Sequence, residues 1–124
     1  VDATAFGGIS MNWEDHATGE SGDIELEKAW LRRCGEIFDL FCRKQKSYGP
    51  MNIAKFGERG VILRVNDKLE RLINLRWYKN DNPLADETIL DTWQDIMDYG
   101  LIGLLCYTGE WPNLGGSDVK EERQ

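Results

Sequence analysis

Several residue types are scarce in this chain of 124 residues, and each scarcity removes a class of function. There is one histidine, His16, and there are three cysteines, Cys34, Cys42 and Cys106, with no Cys-x-x-Cys pair. A zinc centre built from cysteine and histidine therefore lacks ligands. Cys34 and Cys42 are eight residues apart on one expected helix, about 12 Å along its axis, too far to bridge. Three small buried thiols in a reducing cytosol are the expectation, and with them a cytoplasmic location. No apolar run approaches the roughly 18 residues that cross a bilayer, and no signal-peptide pattern stands at the start. No membrane partner is expected. Basic charge is also short: the formal net charge is −7. Phosphate backbones select lysine- and arginine-rich surfaces, so direct DNA binding is not expected. A small anionic ligand would need a metal ion or a local basic cluster to offset that field. No Ser-His-Asp or Cys-His arrangement is suggested, and there is no GxxxxGK[ST] phosphate loop.

What is present is helical periodicity. Residues 1–22 carry Gly, Ser, Thr and Asp without period and read as an irregular arm, with a short turn around Met11 to His16. Asp23 is placed to cap a helix over about 24–45, where Leu26, Trp30, Cys34, Ile37, Phe38 and Phe41 share helical spacing. Gly49-Pro50 ends it. A second helix is expected over about 61–78, with Ile62, Val65, Leu69, Leu72 and Ile73 as its apolar face. After the loop YKNDNPLAD, with Asp86 as cap, a third is expected over about 87–107. The expected fold is all-α, a three- to four-helix bundle forming one domain over residues 23–110, followed by a flexible tail at 111–124. Three helices with this much apolar surface are expected to need a partner, so a homodimer or higher homo-oligomer is expected to complete the core.

The third helix carries the most informative pattern. Glu87, Asp91, Asp95 and Asp98 fall within an arc of roughly 80° at about 100° per residue. Like charges one turn apart repel, so three such steps call for a reason. A divalent cation such as Mg²⁺, held by carboxylate oxygens and bridging to phosphate, supplies one. The plain alternative is the wet face of an amphipathic helix, with Ile89, Leu90, Trp93, Ile96, Met97, Leu101 and Leu104 on the other side. Against it, the acidic line continues into Ile102 and Leu105, so this face is expected to meet another helix. Trp93 and Trp30 are expected in the core. The second helix adds Asp67 and Glu70 one turn apart, with Lys68 and Arg71 beside them to neutralise phosphate or, in the plain reading, to pair along the helix. Tyr48 is a candidate to stack on a base, Asn52 to read a base edge and Arg59 to reach a phosphate.

The segments KQKSYGP, LRVNDKLERLINL and ETILDTWQDIMDYGLIGLL, in that order, resemble the "nucleotide modification associated domain" of phages and bacteria. That family is a proposed relative of the MazG-like all-α nucleoside triphosphate pyrophosphohydrolases. The resemblance spans about residues 30–107. It implies a MazG-like helical fold, often oligomeric, acting on nucleotides with Mg²⁺. It matches Lys46, Tyr48 and Gly49 to the Lys and Tyr-Gly of the family's first loop, Lys68 and Arg71 to its basic pair, and Asp91 and Asp95 to its acids. The expectation is therefore a Mg²⁺-dependent pyrophosphohydrolase releasing a nucleoside monophosphate and pyrophosphate in nucleotide-pool or modified-nucleotide metabolism. Glu70, Asp91 and Asp95 would be catalytic, Asp67, Glu70, Glu87, Asp91 and Asp95 would hold the metal, and Lys46, Tyr48, Asn52, Lys68 and Arg71 would bind the nucleotide. The acids NDKLE and DTWQD are sparser than the EExxE and ExxD of MazG enzymes. A nucleotide-binding or sequestering module of the same fold is thus the alternative, and a purely structural helical protein is a third.

Overall fold

A computed structural model describes residues 12–78 and 85–113, with the side chains of residues 85–87 outside the description. Among the described residues 82% are helical and there are no strands. A 3-10 turn over Trp13–His16 precedes four α-helices: α1 (Ile24–Tyr48), α2 (Met51–Ala54), α3 (Gly57–Ile73), which runs on into a π-turn (Asn74–Tyr78), and α4 (Ala85–Thr108). None of the described helices is long and apolar enough to cross a membrane. The chain divides into two compact units, Val1–Lys44 and Gln45–Gln124, with α1 running through the boundary.

Local chemistry sets the helix ends. Asp23 caps α1 as expected, its carboxylate accepting the Leu26 N–H at 3.0 Å. At the other end, α1 continues past residue 45 to Tyr48, because nothing before Gly49 stops it. Gly49 adopts a φ of 72°, which a residue with a Cβ reaches only at a cost. Lys46 and Tyr48 therefore stand on the last turn of a helix, not in a loop. The helix expected from 61 starts at Gly57 and closes its α-helical part at Ile73. The α4 helix ends in a Schellman motif on Gly109 (φ 78°). The Gly109 N–H reaches the Cys106 carbonyl at 3.2 Å, and the Glu110 N–H reaches that of Leu105 at 2.9 Å. Trp111 then folds back: it is buried, and its Nε1–H donates to the Pro50 carbonyl at 3.1 Å. The tail expected from residue 111 thus still packs at Trp111, and residues 114–124 lie outside the description, as do residues 1–11, the whole 79–84 loop and the side chain of Asp86, the expected cap.

In the N-terminal unit, the 3-10 turn lies on α1. Trp13 packs so closely on Gly35 that an added Cβ would come within 2.7 Å of its ring, and it meets Phe38 with ring centroids 6.0 Å apart. The Arg32–Glu14 ion pair at 2.9 Å ties the same turn down. Below it, Glu27 accepts the Thr18 and Gly19 N–H groups at 2.8 Å each, the Ser21 N–H at 2.9 Å and the Ser21 hydroxyl at 2.6 Å. These donors, the Ser21 hydroxyl foremost, hold the Glu27 carboxyl at about 2. Residues 12–22 are thus an ordered lead-in to α1.

The second unit packs α3 against α4, with α2 against the start of α3. Its core is small: Ile53, Val61, Leu72, Ile102, Cys106 and Trp111. The inward line of α3 runs Val61, Val65, Lys68, Leu72, a 4-3-4 spacing that differs from the expected apolar face. Ile62 and Leu69 are exposed. The inward line of α4 runs Thr92, Asp95, Asp98, Ile102, Cys106. Small groups let the two helices approach: a Cβ on Gly103 would stand 3.3 Å from Val61. The Thr92 hydroxyl is satisfied within its own helix by the Thr88 carbonyl at 2.6 Å.

Two core expectations are corrected, the first of them by this rotation. Trp93 is 54% exposed and Trp30 is 66% exposed. Bulk and hydrophobicity alone point both indoles inward, whereas the close approach of α3 and α4 admits Thr, Gly and Cys in place of Trp93, and Trp30 stands on α1, whose buried residues are Gly35 and Ile37. Of the three cysteines, all free thiols, only Cys106 is buried, and Cys42 is exposed.

Candidate functional site

The expectation that the acidic face of α4 meets another helix holds. Asp98 is 1% exposed, one turn before Ile102 at 2%. Asp95 reaches across to α3, where the Lys68 ammonium lies 2.9 Å from its Oδ2. Both side chains of this pair are about three-quarters or more buried. Lys68 stands one turn from Val65 and from Leu72 on the α3 inner line, and its ammonium is met there by the Asp95 carboxylate. Removing charged groups from water is costly, and the pair repays it only with good geometry. Two carboxylates and a lysine on one helix–helix seam are thus a costly arrangement in a core this small, and such arrangements mark candidate sites.

The other expected residues are distributed differently. Asp91 sits one turn before Asp95 on α4 and is exposed. Asp67, Glu70 and Arg71 are on α3 and exposed, adjacent in sequence to Lys68 but off its inward line. Lys46 and Tyr48 are exposed on the last turn of α1, and Asn52 is exposed on α2. Arg59, on the first turn of α3, is exposed as well. The Glu87 side chain lies outside the described residues. The structure therefore joins Lys68 to Asp95, beside Asp98, and leaves Asp67, Glu70 and Asp91 facing solvent.

The expected metal shell is not assembled by the described side chains: among them no three Asp, Glu, His or Cys groups gather closely enough to share an ion. Asp91 and Asp95 supply two carboxylates one turn apart, and Asp95 is already engaged by Lys68. Two such carboxylates would leave a Mg²⁺ ion to take its remaining oxygens from water and phosphate.

Sequence reasoning named Lys68 and Asp95 separately and missed that they pair. The signal was the 4-3-4 spacing Val61, Val65, Lys68, Leu72, which puts a lysine in the middle of an otherwise apolar line. It also did not single out Glu27. The Thr-Gly-Glu-Ser-Gly-Asp run before a helix, rich in N–H donors and hydroxyls, was the available signal there. Comparison of the chain with protein-family models, with curated proteins and with solved structures gives no match.

Proposed function

We propose that the chain binds a nucleoside triphosphate beside the α3–α4 seam and cleaves it, in the presence of Mg²⁺, to a nucleoside monophosphate and pyrophosphate, as a cytoplasmic relative of the MazG-like enzymes. The observation that carries this reading is the seam itself: Lys68 and Asp95 paired at 2.9 Å next to the buried Asp98. A helix that only needed a wet face would have no cause to turn its carboxylates toward its neighbour. Lys68 would release Asp95 to meet phosphate oxygens, and Arg71, one turn on and exposed, would add a second cation. Asp91 is exposed one turn away, where it can reach a ligand that Asp95 also touches. When bound, Mg²⁺ would supply charge neutralisation and an activated water. Pairing of two copies belongs to the same proposal, since the single chain leaves many large apolar side chains in solvent.

A second reading, a module that binds a nucleotide without cleaving it, is favoured by one observation: Asp95, an expected metal ligand, is engaged by Lys68 at 2.9 Å. Pyrophosphate release from a panel of canonical and modified nucleoside triphosphates, with Mg²⁺ and with EDTA, separates the two. Metal-dependent release that disappears in Asp91→Asn and Asp95→Asn supports the enzyme. No release, with a thermal shift on adding Mg²⁺ and nucleotide, supports the module; a ligand at 100 times its Kd stabilises by about 2.7 kcal/mol. Neither release nor shift leaves a structural helical protein.

A further inference from the structure

The outward side of α4 is a continuous apolar stripe. Leu90, Trp93, Met97, Leu104 and Tyr107 are between 46 and 74% exposed, and Gly100, in the middle, has nothing within 4 Å of where a Cβ would stand. Their spacing is 3-4-3-4-3, the a/d repeat of a left-handed helix–helix seam. The flanking e and g positions are Ile89, Gln94, Ile96, Leu101, Gly103 and Thr108, none of them charged. All of Asp91, Asp95 and Asp98 fall at b and f positions, away from the stripe.

We infer that this stripe is the face on which a second copy of the chain docks, with the two α4 helices antiparallel about a two-fold axis near Met97 and Gly100. The inference builds on the proposed self-association and does not depend on the nucleotide chemistry. Three observations commit the face to a second copy. First, the stripe is complementary to itself. Run antiparallel, it sets Leu90 against Tyr107, Trp93 against Leu104, and Met97 against the open space over Gly100, so each large side chain meets a partner and the unbranched Met fills the vacancy. Second, a chain of net charge −7 resists a second copy of itself except where the contact carries no charge, and this stripe and its flanks carry none between residues 88 and 108 other than the three acids on the far side. Third, the area suffices. At roughly 150–250 Å² for a large side chain, the exposed parts of the stripe and Leu101 offer about 650 Å² per copy, or about 1,300 Å² in all. That lies within the ~1,200–2,000 Å² of stable complexes.

Sedimentation equilibrium of the full chain over a range of micromolar concentrations tests this, with wild type, Leu104→Glu and Gly100→Gln. The wild type is expected at twice the 14.2 kDa chain mass. Leu104→Glu is expected to weaken the dimer at least about tenfold, and so is Gly100→Gln, which removes the space for Met97. A Cβ at residue 100 meets nothing in the single chain, and an unchanged far-UV circular dichroism spectrum of Gly100→Gln shows that the loss is not one of folding. For orientation, Leu90→Cys mixed with Tyr107→Cys, both on a Cys42→Ser background, is expected to yield a mixed disulfide on mild oxidation. Leu90→Cys alone is expected to yield none, because the two copies of residue 90 would stand about 26 Å apart. A wild type of single-chain mass at every concentration overturns the self-association. A dimer equally strong in both variants overturns this face and leaves the self-association standing. Efficient cross-linking of Leu90→Cys to itself overturns the antiparallel arrangement.

Discussion

The two sides of α4 reverse the usual division of labour in an amphipathic helix. Its inner side presents Thr92, Asp95, Asp98, Ile102 and Cys106 to α3, while its outer side sends Leu90, Trp93, Met97, Leu101 and Leu104 into solvent. The α3 helix does the same on a smaller scale, burying Val61 and Leu72 around Lys68 and exposing Ile62, Leu63 and Leu69. Small size and charge complementarity shape the α3–α4 contact beside its few apolar groups, and the largest apolar side chains lie outside it. Burial of polar groups where apolar ones were at hand is what makes the inner side the candidate site.

The largest effect that would break this contrast is on stability. Ile102→Ala removes a buried side chain from the inner side and is expected to cost about 2–5 kcal/mol in urea unfolding. Leu104→Ala, two residues on but on the outer side, is expected to cost about 0.5 kcal/mol or less in dilute solution, where the chain stands alone. Equal costs would mean that both sides are packed in the single chain. Next comes the cross-seam pair. Lys68→Met leaves Asp95 largely buried without its cation, and a loss of about 1–3 kcal/mol is expected. The double variant Lys68→Met, Asp95→Leu is expected to recover most of it, because replacing both members of such a pair is often neutral. Strictly additive losses in this cycle would show that the pair does not interact in solution.

The glycines of α4 sharpen the comparison at about 1 kcal/mol. Gly100→Ala gains helix propensity with nothing to strike and is expected to raise the stability of dilute protein by about that amount. Gly103→Ala gains the same propensity but presses a methyl to 3.3 Å from Val61, so its net gain is expected to be smaller. Matching gains would place both glycines in open space. The smallest effect lies in the N-terminal unit, where a carboxylate is held by donors and not by a cation. The folded Glu27 carboxyl titrates at about 2, below its ordinary 4.5. Its contribution is complete above pH 4.5 and is lost as the pH falls toward 2, because the unfolded chain takes up that proton first. Glu27→Gln is expected to flatten the stability–pH curve across that window, and an unchanged slope would mean that the Thr18–Ser21 donors do not hold it in solution.

Much of this architecture was legible in the sequence where a single residue type dictates the backbone. Asp23 marked a helix start, Gly49-Pro50 a helix end, and periodicity over 24–45, 61–78 and 87–107 the helices between them. The acid line running into Ile102 correctly signalled a neighbour on that side. The rotation of α3 and α4 was not legible, because the rule that large apolar residues turn inward assumes that the chain buries them alone. Trp93 and Leu104 obey that rule only if a second copy is counted. The pairing of Lys68 with Asp95 depends on the register between two helices, which periodicity within each helix does not encode. The exposure of Asp67 and Glu70 followed from the same unseen rotation, since the line through Val61, Val65 and Leu72 carries them off the seam.

The charged seam, and not another surface, is proposed to receive the nucleotide. Hydrogen exchange read by mass spectrometry, with and without Mg²⁺ and a non-hydrolysable nucleoside triphosphate analogue, tests it most directly. The account predicts slowed exchange in two stretches, about residues 64–72 of α3 and 88–98 of α4, that requires the nucleotide and is lost in Asp95→Asn. Unchanged exchange in both stretches across a panel of nucleotides, or protection confined to other parts of the chain, would contradict it.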